Sequence, residues 1–122
     1  MEEINLRNYA YLGDAVWELL IRQKTILITN NAKKLHEITT AKVKGSFQAE
    51  LLEEITPVLT EEEKEIARRG RNLPIPVGRR SNQNEYRQAT AFETLIGWWF
   101  QNDKVRYDFI ISALEKKIFP DN

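Results

Sequence analysis

The feature that most constrains the fold is a glycine–aspartate pair inside a helical apolar pattern near the N-terminus. Between residues 6 and 28, apolar side chains recur every three or four positions, which is typical of a helix in a protein core. Gly13 costs such a helix roughly 1 kcal/mol relative to alanine, so we expect a neighbour that needs the missing side chain. Asp14 follows directly, and a carboxylate among apolar neighbours requires a hydrogen bond, a cation or a metal ion. The pair therefore predicts a special contact.

A second carboxylate has a similar setting far along the chain. Glu93 lies in the run Ala-Phe-Glu-Thr-Leu-Ile-Gly at residues 91–97. We predict that the segments around Asp14 and Glu93 meet. Two carboxylates suit Mg²⁺, which prefers oxygen ligands and retains waters, and such an ion promotes phosphodiester hydrolysis. The residues alone leave open that each acid instead forms an ion pair with an arginine.

Two other polar residues are weaker candidates for the same site. Glu18 follows Asp14 by one helical turn, so it is either a further ligand or an ion-paired surface residue. His36 is the single histidine, and packing or capping explains it better than general-base catalysis.

The periodicity predicts an all-α fold of about six helices in one domain, residues 1–122. The first helix should cover residues 4–28 and the second should begin near Ala32. A third should begin near residue 39 or 40, because Val43, Phe47, Leu51 and Ile55 are spaced by four. Thr60 and Glu63 match a capping box at the start of a fourth helix, which should end near Gly70. Helices from residue 83 and over 104–118 complete the set.

Between the fourth and fifth helices, residues 72–82 contain two prolines and a glycine and should form a loop. Loops of that length inside a small domain are often functional.

Composition excludes several classes of protein. The chain has no cysteine, so a disulfide framework and a thiolate metal site are excluded. Glu2 and Glu3 stand where a signal peptide would carry basic residues, and no apolar run approaches the roughly 18 residues of a membrane span. We therefore expect a cytoplasmic protein without a membrane partner.

The formal net charge is zero, but the charges are segregated along the chain. The charged residues between positions 50 and 65 are acidic except for Lys64, whereas six arginines occur between residues 66 and 90: Arg68, Arg69, Arg71, Arg79, Arg80 and Arg87. Arginine suits bidentate phosphate contacts, so this block favours nucleic-acid binding, although charge-rich segments are often only solvated.

The run Tyr-Leu-Gly-Asp-Ala-Val at residues 11–16 resembles the signature of ribonuclease III catalytic domains. Residues 93–97, Glu-Thr-Leu-Ile-Gly, resemble that family's second acidic motif with Thr94 in place of alanine. Val-Lys-Gly at 43–45 and Arg-Gly-Arg at 69–71 fit the segments between the two motifs. With no double-stranded-RNA-binding domain expected after residue 122, the chain is most similar to the short bacterial branch of the family, Mini-ribonuclease III.

The resemblance implies a homodimeric, Mg²⁺-dependent endoribonuclease, with Mn²⁺ as a substitute ion. It implies cleavage of double-stranded regions of precursor 23S ribosomal RNA, leaving 5′-phosphate and 3′-hydroxyl ends. It also admits a ribosomal protein on the pre-ribosome as a partner. Asp14 and Glu93 would be the catalytic metal ligands. The expected RNA-binding residues are Arg69, Arg71, Arg79, Arg80, Arg87, Lys42 and Lys44.

The sequence departs from full-length ribonuclease III where that family has further acids. Ala10 stands four residues before Asp14, and Thr90 stands three residues before Glu93. Our alignment places Ala32 near the third acidic position. The metal would therefore take more of its ligands from water or RNA. The thin set of acids leaves an alternative function open, a dimeric module that binds duplex RNA without cutting it.

Overall fold

A computed structural model of the chain describes residues 5–76, 78 and 83–120. The described residues form six α-helices and a short 3₁₀ segment. The helices are α1 (Leu6–Thr25), α2 (Ala32–Val43), α3 (Gly45–Ile55), α4 (Glu61–Arg71), α5 (Gln83–Asn102) and α6 (Lys104–Ile118), and the 3₁₀ segment is Thr56–Val58. The all-α prediction is confirmed. None of these helices combines the length and apolar character needed to cross a membrane.

Helix α5 is the centre of the fold. It packs against α1, α3, α4 and α6, and both of its large core side chains, Phe92 and Trp99, are fully buried. Trp17 of α1 meets Phe92 edge to face, with ring centroids 5.0 Å apart. The buried apolar residues of α1, α3 and α5 belong to this core, and because α1 packs against α5 the two acidic motifs lie on neighbouring helices.

Local signals set most helix starts. Asn5 caps α1 by accepting a hydrogen bond from the Arg7 amide, and Asn31 accepts one from the Lys34 amide at the start of α2. The predicted capping box is confirmed, because Thr60 and Glu63 exchange both of its hydrogen bonds.

Two predicted boundaries are wrong. Helix α1 ends at Thr25 rather than near residue 28, and residues 26–28 form an exposed apolar turn. Helix α2 continues to Val43 instead of giving way to a new helix near residue 39 or 40. Trp17 accounts for the longer α2. Its indole N–H donates to the Lys42 carbonyl at 2.9 Å, and this carbonyl would otherwise lack a partner in the last turn of the helix. Lys44 then takes an extended conformation and separates α2 from α3.

A buried glutamate ties α4 to the last two helices. Glu63 accepts hydrogen bonds from Trp99 Nε1 at 2.8 Å and from Arg106 Nε and Nη2 at 2.9 and 2.8 Å. Arg106 also donates to the Val58 carbonyl at 2.7 Å. Burial raises the pKa of Glu63, but the hydrogen bonds from Arg106, from the Thr60 amide and from Trp99 outweigh it and hold the pKa at about 2. Glu63 is therefore an ionised structural residue.

Candidate active site

Two glycines bring α1 and α5 into backbone contact. A Cβ atom added to Gly13 would overlap the carbonyl oxygen of Glu93 and lie 2.7 Å from the carbonyl carbon of that residue. A Cβ atom added to Gly97 would overlap the Tyr9 carbonyl oxygen and lie 2.9 Å from the Gly13 nitrogen. The neighbour expected for Gly13 is therefore the backbone of α5. This close approach sets Asp14, the residue after Gly13, beside Glu93.

The carboxylates of Asp14 and Glu93 are neighbours on the walls of the same cavities. Asp14 is exposed, whereas Glu93 is half-buried between α1 and α3. Burial, together with the hydrogen bond to Asp14 and the negative charge of Asp14, raises the pKa of Glu93 to about 8. One hydrogen bond opposes this shift, since Gln48 Nε2 donates to Glu93 Oε2 at 3.3 Å. A cation at the pair would relieve the repulsion that raises the pKa.

Two cavities flank the carboxylate pair. The larger has a volume of about 550 Å³ and is lined in part by residues 73–76 at the start of the long loop. The smaller, of about 300 Å³, lies toward α3 and includes Gln48 and Glu85 in its wall. Four residues line both cavities: Asp14, Tyr86, Thr90 and Glu93. The pair is therefore reachable from two sides.

The donor set fits Mg²⁺ with few protein ligands. No three His, Cys, Asp or Glu side chains cluster tightly enough to hold a metal ion within the described part of the chain. Ala10 and Thr90 line the larger cavity at the positions where full-length relatives were expected to have acids. Mg²⁺ is commonly bound by one or two carboxylates, with waters and substrate phosphate completing its octahedron. Asp14 and Glu93 satisfy that minimum.

The two weaker candidates lie apart from the pair. Glu18 forms an exposed ion pair with Arg22 on the same helix, with nitrogen and oxygen 3.6 Å apart. His36 is exposed and lines a separate small cavity with Arg22 and Thr39. The pairing of Glu18 matches the surface alternative considered for it.

The predicted RNA-binding residues have different environments. Arg69 and Lys44 are exposed, and Arg71 is half-buried at the end of α4. Arg87 donates to the Arg71 carbonyl at 2.8 Å, so its guanidinium caps the C-terminal end of α4.

Lys42 is half-buried, and its ammonium lies over the rings of Phe47 and Phe119 at 5.2 and 5.4 Å from the centroids. The remaining two predicted residues, Arg79 and Arg80, lie outside the described residues.

Sequence reasoning missed Gln48 and Tyr86 as residues of the site. Gln48 had a detectable signal, because it is a polar residue on the apolar side of α3, beside Phe47 and Leu51. Tyr86 has helical spacing with Ala89 and Phe92, a pattern that predicts only core packing, and its position on the walls of both cavities depends on tertiary structure.

Comparison with known proteins gives consistent results. Residues 7–104 match the model of the ribonuclease III domain. A Mini-ribonuclease 3 of Gloeobacter violaceus is 43% identical over 116 residues, which cover 95% of this chain and 86% of the relative. A Mini-ribonuclease 3 of Synechococcus is 40% identical over 86% of this chain and 76% of the relative. A crystal structure of a Fusobacterium nucleatum protein superposes with a TM-score of 0.82 at 32% identity, covering 95% of this chain and 96% of the other.

Proposed function

Because the chain belongs to the ribonuclease III family of endoribonucleases, we propose that it is a Mg²⁺-dependent enzyme that cleaves double-stranded regions of precursor 23S ribosomal RNA in the cytoplasm. The observation that carries the proposal is the placement of Asp14 and Glu93 together on the walls of two cavities, at the backbone contact that Gly13 and Gly97 allow. Among the described residues neither carboxylate forms an ion pair with a basic side chain, and paired carboxylates of this kind are poised to share a hard cation.

Asp14 and Glu93 would hold the ion from two different helices. Because Gly13 and Gly97 allow the backbones of α1 and α5 to touch, the spacing of the two carboxylates is set before substrate binds. When bound, Mg²⁺, or Mn²⁺ in its place, would activate a water for attack on phosphorus and stabilise the departing 3′-oxygen, so that cleavage of the P–O3′ bond leaves 5′-phosphate and 3′-hydroxyl ends. The remaining ligand positions are left to water and to RNA phosphate oxygens.

Basic side chains position the RNA backbone in this proposal. Lys44 and Arg69 are exposed, and Arg71 is half-buried at the end of α4. We assign phosphate contacts to these three, with Arg79, Arg80, Arg87 and Lys42 as further contributors.

Phosphate contacts make binding dependent on salt, because each one releases condensed counterions. If about six phosphates are neutralised, duplex affinity should fall roughly 10³-fold between about 50 and 200 mM salt, by analogy with duplex DNA. A fluorescence-anisotropy titration with a Lys44→Ala variant checks this. The slope of log affinity against log salt should shrink by about one in the variant, and a flat wild-type slope would remove the phosphate assignment.

We further assign a homodimer formed through α1. Tyr11, Ala15 and Leu19 follow one another at helical spacing and are all exposed, with Tyr11 83% and Leu19 58% accessible. An exposed apolar stripe of this kind requires cover. Packing of α1 against its copy would place the two Asp14–Glu93 pairs along one RNA duplex. Sedimentation of wild type and Leu19→Glu tests this, because a monomeric wild type would exclude the assignment.

The decisive experiment is cleavage of a duplex taken from a 23S ribosomal RNA precursor, with Mg²⁺ present. Asp14→Asn and Glu93→Gln should each lower the single-turnover rate by at least roughly 100-fold. Loss of a residue that only hydrogen-bonds to a metal ligand costs up to about 100-fold, and loss of the ligand itself should cost at least as much. Glu18→Gln is the matched control one turn from Asp14 and should cut at the wild-type rate. Wild-type rates in both site variants would exclude the site. Tight binding without cutting, in saturating Mg²⁺ and Mn²⁺, would instead indicate a non-cleaving duplex-RNA-binding module.

A further inference from the structure

Gln48 is a polar side chain placed where an apolar one would pack better. It is 3% exposed, and its neighbours on the same side of α3 are the buried Leu51, Leu52 and Ile55. Burying an amide costs free energy unless its polar atoms find partners. Leucine or methionine at position 48 would continue the apolar stripe without that cost. The amide therefore calls for an explanation in what it contacts.

The amide of Gln48 contacts one of the two candidate metal ligands. Gln48 Nε2 donates to Glu93 Oε2 at 3.3 Å, across the contact between α3 and α5. The two helices lie close there, since a Cβ atom on Gly45 would sit in ordinary contact with the Ala89 side chain, at 3.6 Å. A short, neutral arm from α3 can therefore reach the carboxylate directly.

A neutral donor leaves the carboxylate free to bind a cation. Arg106 supplies two hydrogen bonds and a full positive charge to Glu63, which also accepts from Trp99 and from the Thr60 amide. Gln48 supplies orientation without a positive charge, so this contact does not compete with a cation for Glu93 beside Asp14. Carboxylates that bind metal ions usually accept a hydrogen bond from a neighbouring group, and that hydrogen bond orients the carboxylate.

We propose that Gln48 is a positioning residue of the cleavage reaction, whose amide holds Glu93 Oε2 toward α3 and thereby fixes the orientation in which Glu93 shares a divalent cation with Asp14. This inference rests on the proposed function and adds to it a residue on a third helix. Helix α3 then contributes to the chemistry as well as to the core.

The test is a Gln48→Met variant, which replaces the amide with an unbranched apolar chain of similar length. The Mg²⁺ concentration that gives half-maximal cleavage should rise roughly 10–100-fold, and the Mn²⁺ dissociation constant measured by electron paramagnetic resonance should rise by a similar factor. Duplex affinity in EDTA should stay within about twofold of wild type, because the substitution removes none of the basic side chains assigned to phosphate contacts. Gln101→Leu, an exposed amide on the Glu93 helix, is the matched control and should change none of these values.

A double variant separates positioning from general damage. In a Glu93→Gln background, Gln48→Met should have no further effect on Mn²⁺ binding, because the group that it orients is no longer a carboxylate. If Gln48→Met does not fold, Gln48→Asn serves instead, since it keeps a buried amide that is one methylene too short to reach Glu93.

Three results would overturn the inference. Wild-type dependence on Mg²⁺ and Mn²⁺ in a folded position-48 variant would exclude the positioning role while leaving the proposed function intact. Loss of duplex affinity in EDTA equal to the loss of rate would indicate structural damage only. A wild-type protein that neither binds Mn²⁺ nor cleaves would overturn the proposed function itself, and this inference with it.

Discussion

Glu63 and Glu93 are two glutamates of one small fold whose surroundings have opposite effects. Glu63 is matched by Arg106, Trp99 and the Thr60 amide, and its pKa is about 2. Burial and Asp14 raise the pKa of Glu93 to about 8, against only the neutral amide of Gln48. A buried acid that already has its cation stabilises the fold, whereas an acid placed beside another acid creates a demand for a cation. That difference distinguishes the structural carboxylate from the candidate catalytic one.

The largest expected effect on stability comes from removing the negative charge of Glu63. Glu63→Gln leaves the Arg106 guanidinium, which is 22% exposed in its side chain, without its counter-charge. Breaking a buried pair from one side costs roughly 3–5 kcal/mol, and partial exposure of Arg106 favours the lower end of that range. Urea denaturation of the variant should therefore show a loss of about 3 kcal/mol. A loss below about 1 kcal/mol would mean that the network contributes little.

Acid should remove the same contribution from the unmodified protein. The folded-state pKa of Glu63 is lowered from 4.5 to about 2, so its contribution is present in full above pH 4.5 and is lost as pH falls toward 2. The shift corresponds to about 3 kcal/mol. Unfolding free energies measured between pH 5 and 2 should fall steeply in wild type and less steeply in Glu63→Gln. Parallel curves in the two proteins would contradict the assignment.

The backbone contact that brings Asp14 and Glu93 together can be broken at Gly13. Gly13→Ala forces a Cβ atom into the Glu93 backbone, so α1 and α5 must separate at the cost of roughly 1–3 kcal/mol. Cleavage should fall as well, because the spacing of Asp14 and Glu93 changes. Gly45→Ala is the matched control, since a Cβ atom there meets only ordinary contacts. Equal effects of the two substitutions on melting temperature and rate would argue against a special contact at Gly13.

The smallest expected effect is a gain in stability when Glu93 is replaced by glutamine. The pKa of Glu93 is raised on folding, so the folded protein is disfavoured as pH rises from 4.5 toward 8. Glu93→Gln removes that penalty, so metal-free protein at pH 7.5 should become more stable by about 1 kcal/mol, a value reduced by the access of water to the site. The gain should vanish near pH 4.5. If Glu93→Gln is instead less stable than wild type at pH 7.5 in EDTA, Glu93 is a structural carboxylate like Glu63.

Local sequence patterns predicted most of the helical framework. The capping box at Thr60 and the helix over residues 104–118 are signalled by residues a few positions apart, and the structure has both. The end of α2 was predicted wrongly because the Trp17 side chain, 25 positions from Lys42 in the sequence, satisfies the last turn. A distant donor of this kind leaves no periodic signal.

The same distinction applies to the candidate site. Gly13 beside Asp14 is an anomaly within one helix, and a similar anomaly at Glu93 indicated that the two segments are related. The amide of Gln48 and the ring of Tyr86 have neither spacing nor motif to connect them to that pair. Their membership in the site follows from the packing of α3 and α5.

The sequence by itself therefore determined the helices and the two segments whose carboxylates carry the proposed chemistry, because helix periodicity, caps and misplaced polar residues are local properties. Tertiary structure alone decided which acid is satisfied and which is left needing a cation. Arg106 reaches Glu63 across 43 positions of sequence, and Gln48 reaches Glu93 across 45. The physical reason is that the ionisation of a carboxylate depends on the charges and donors within a few ångströms of it, and only the packing of the helices brings those groups together.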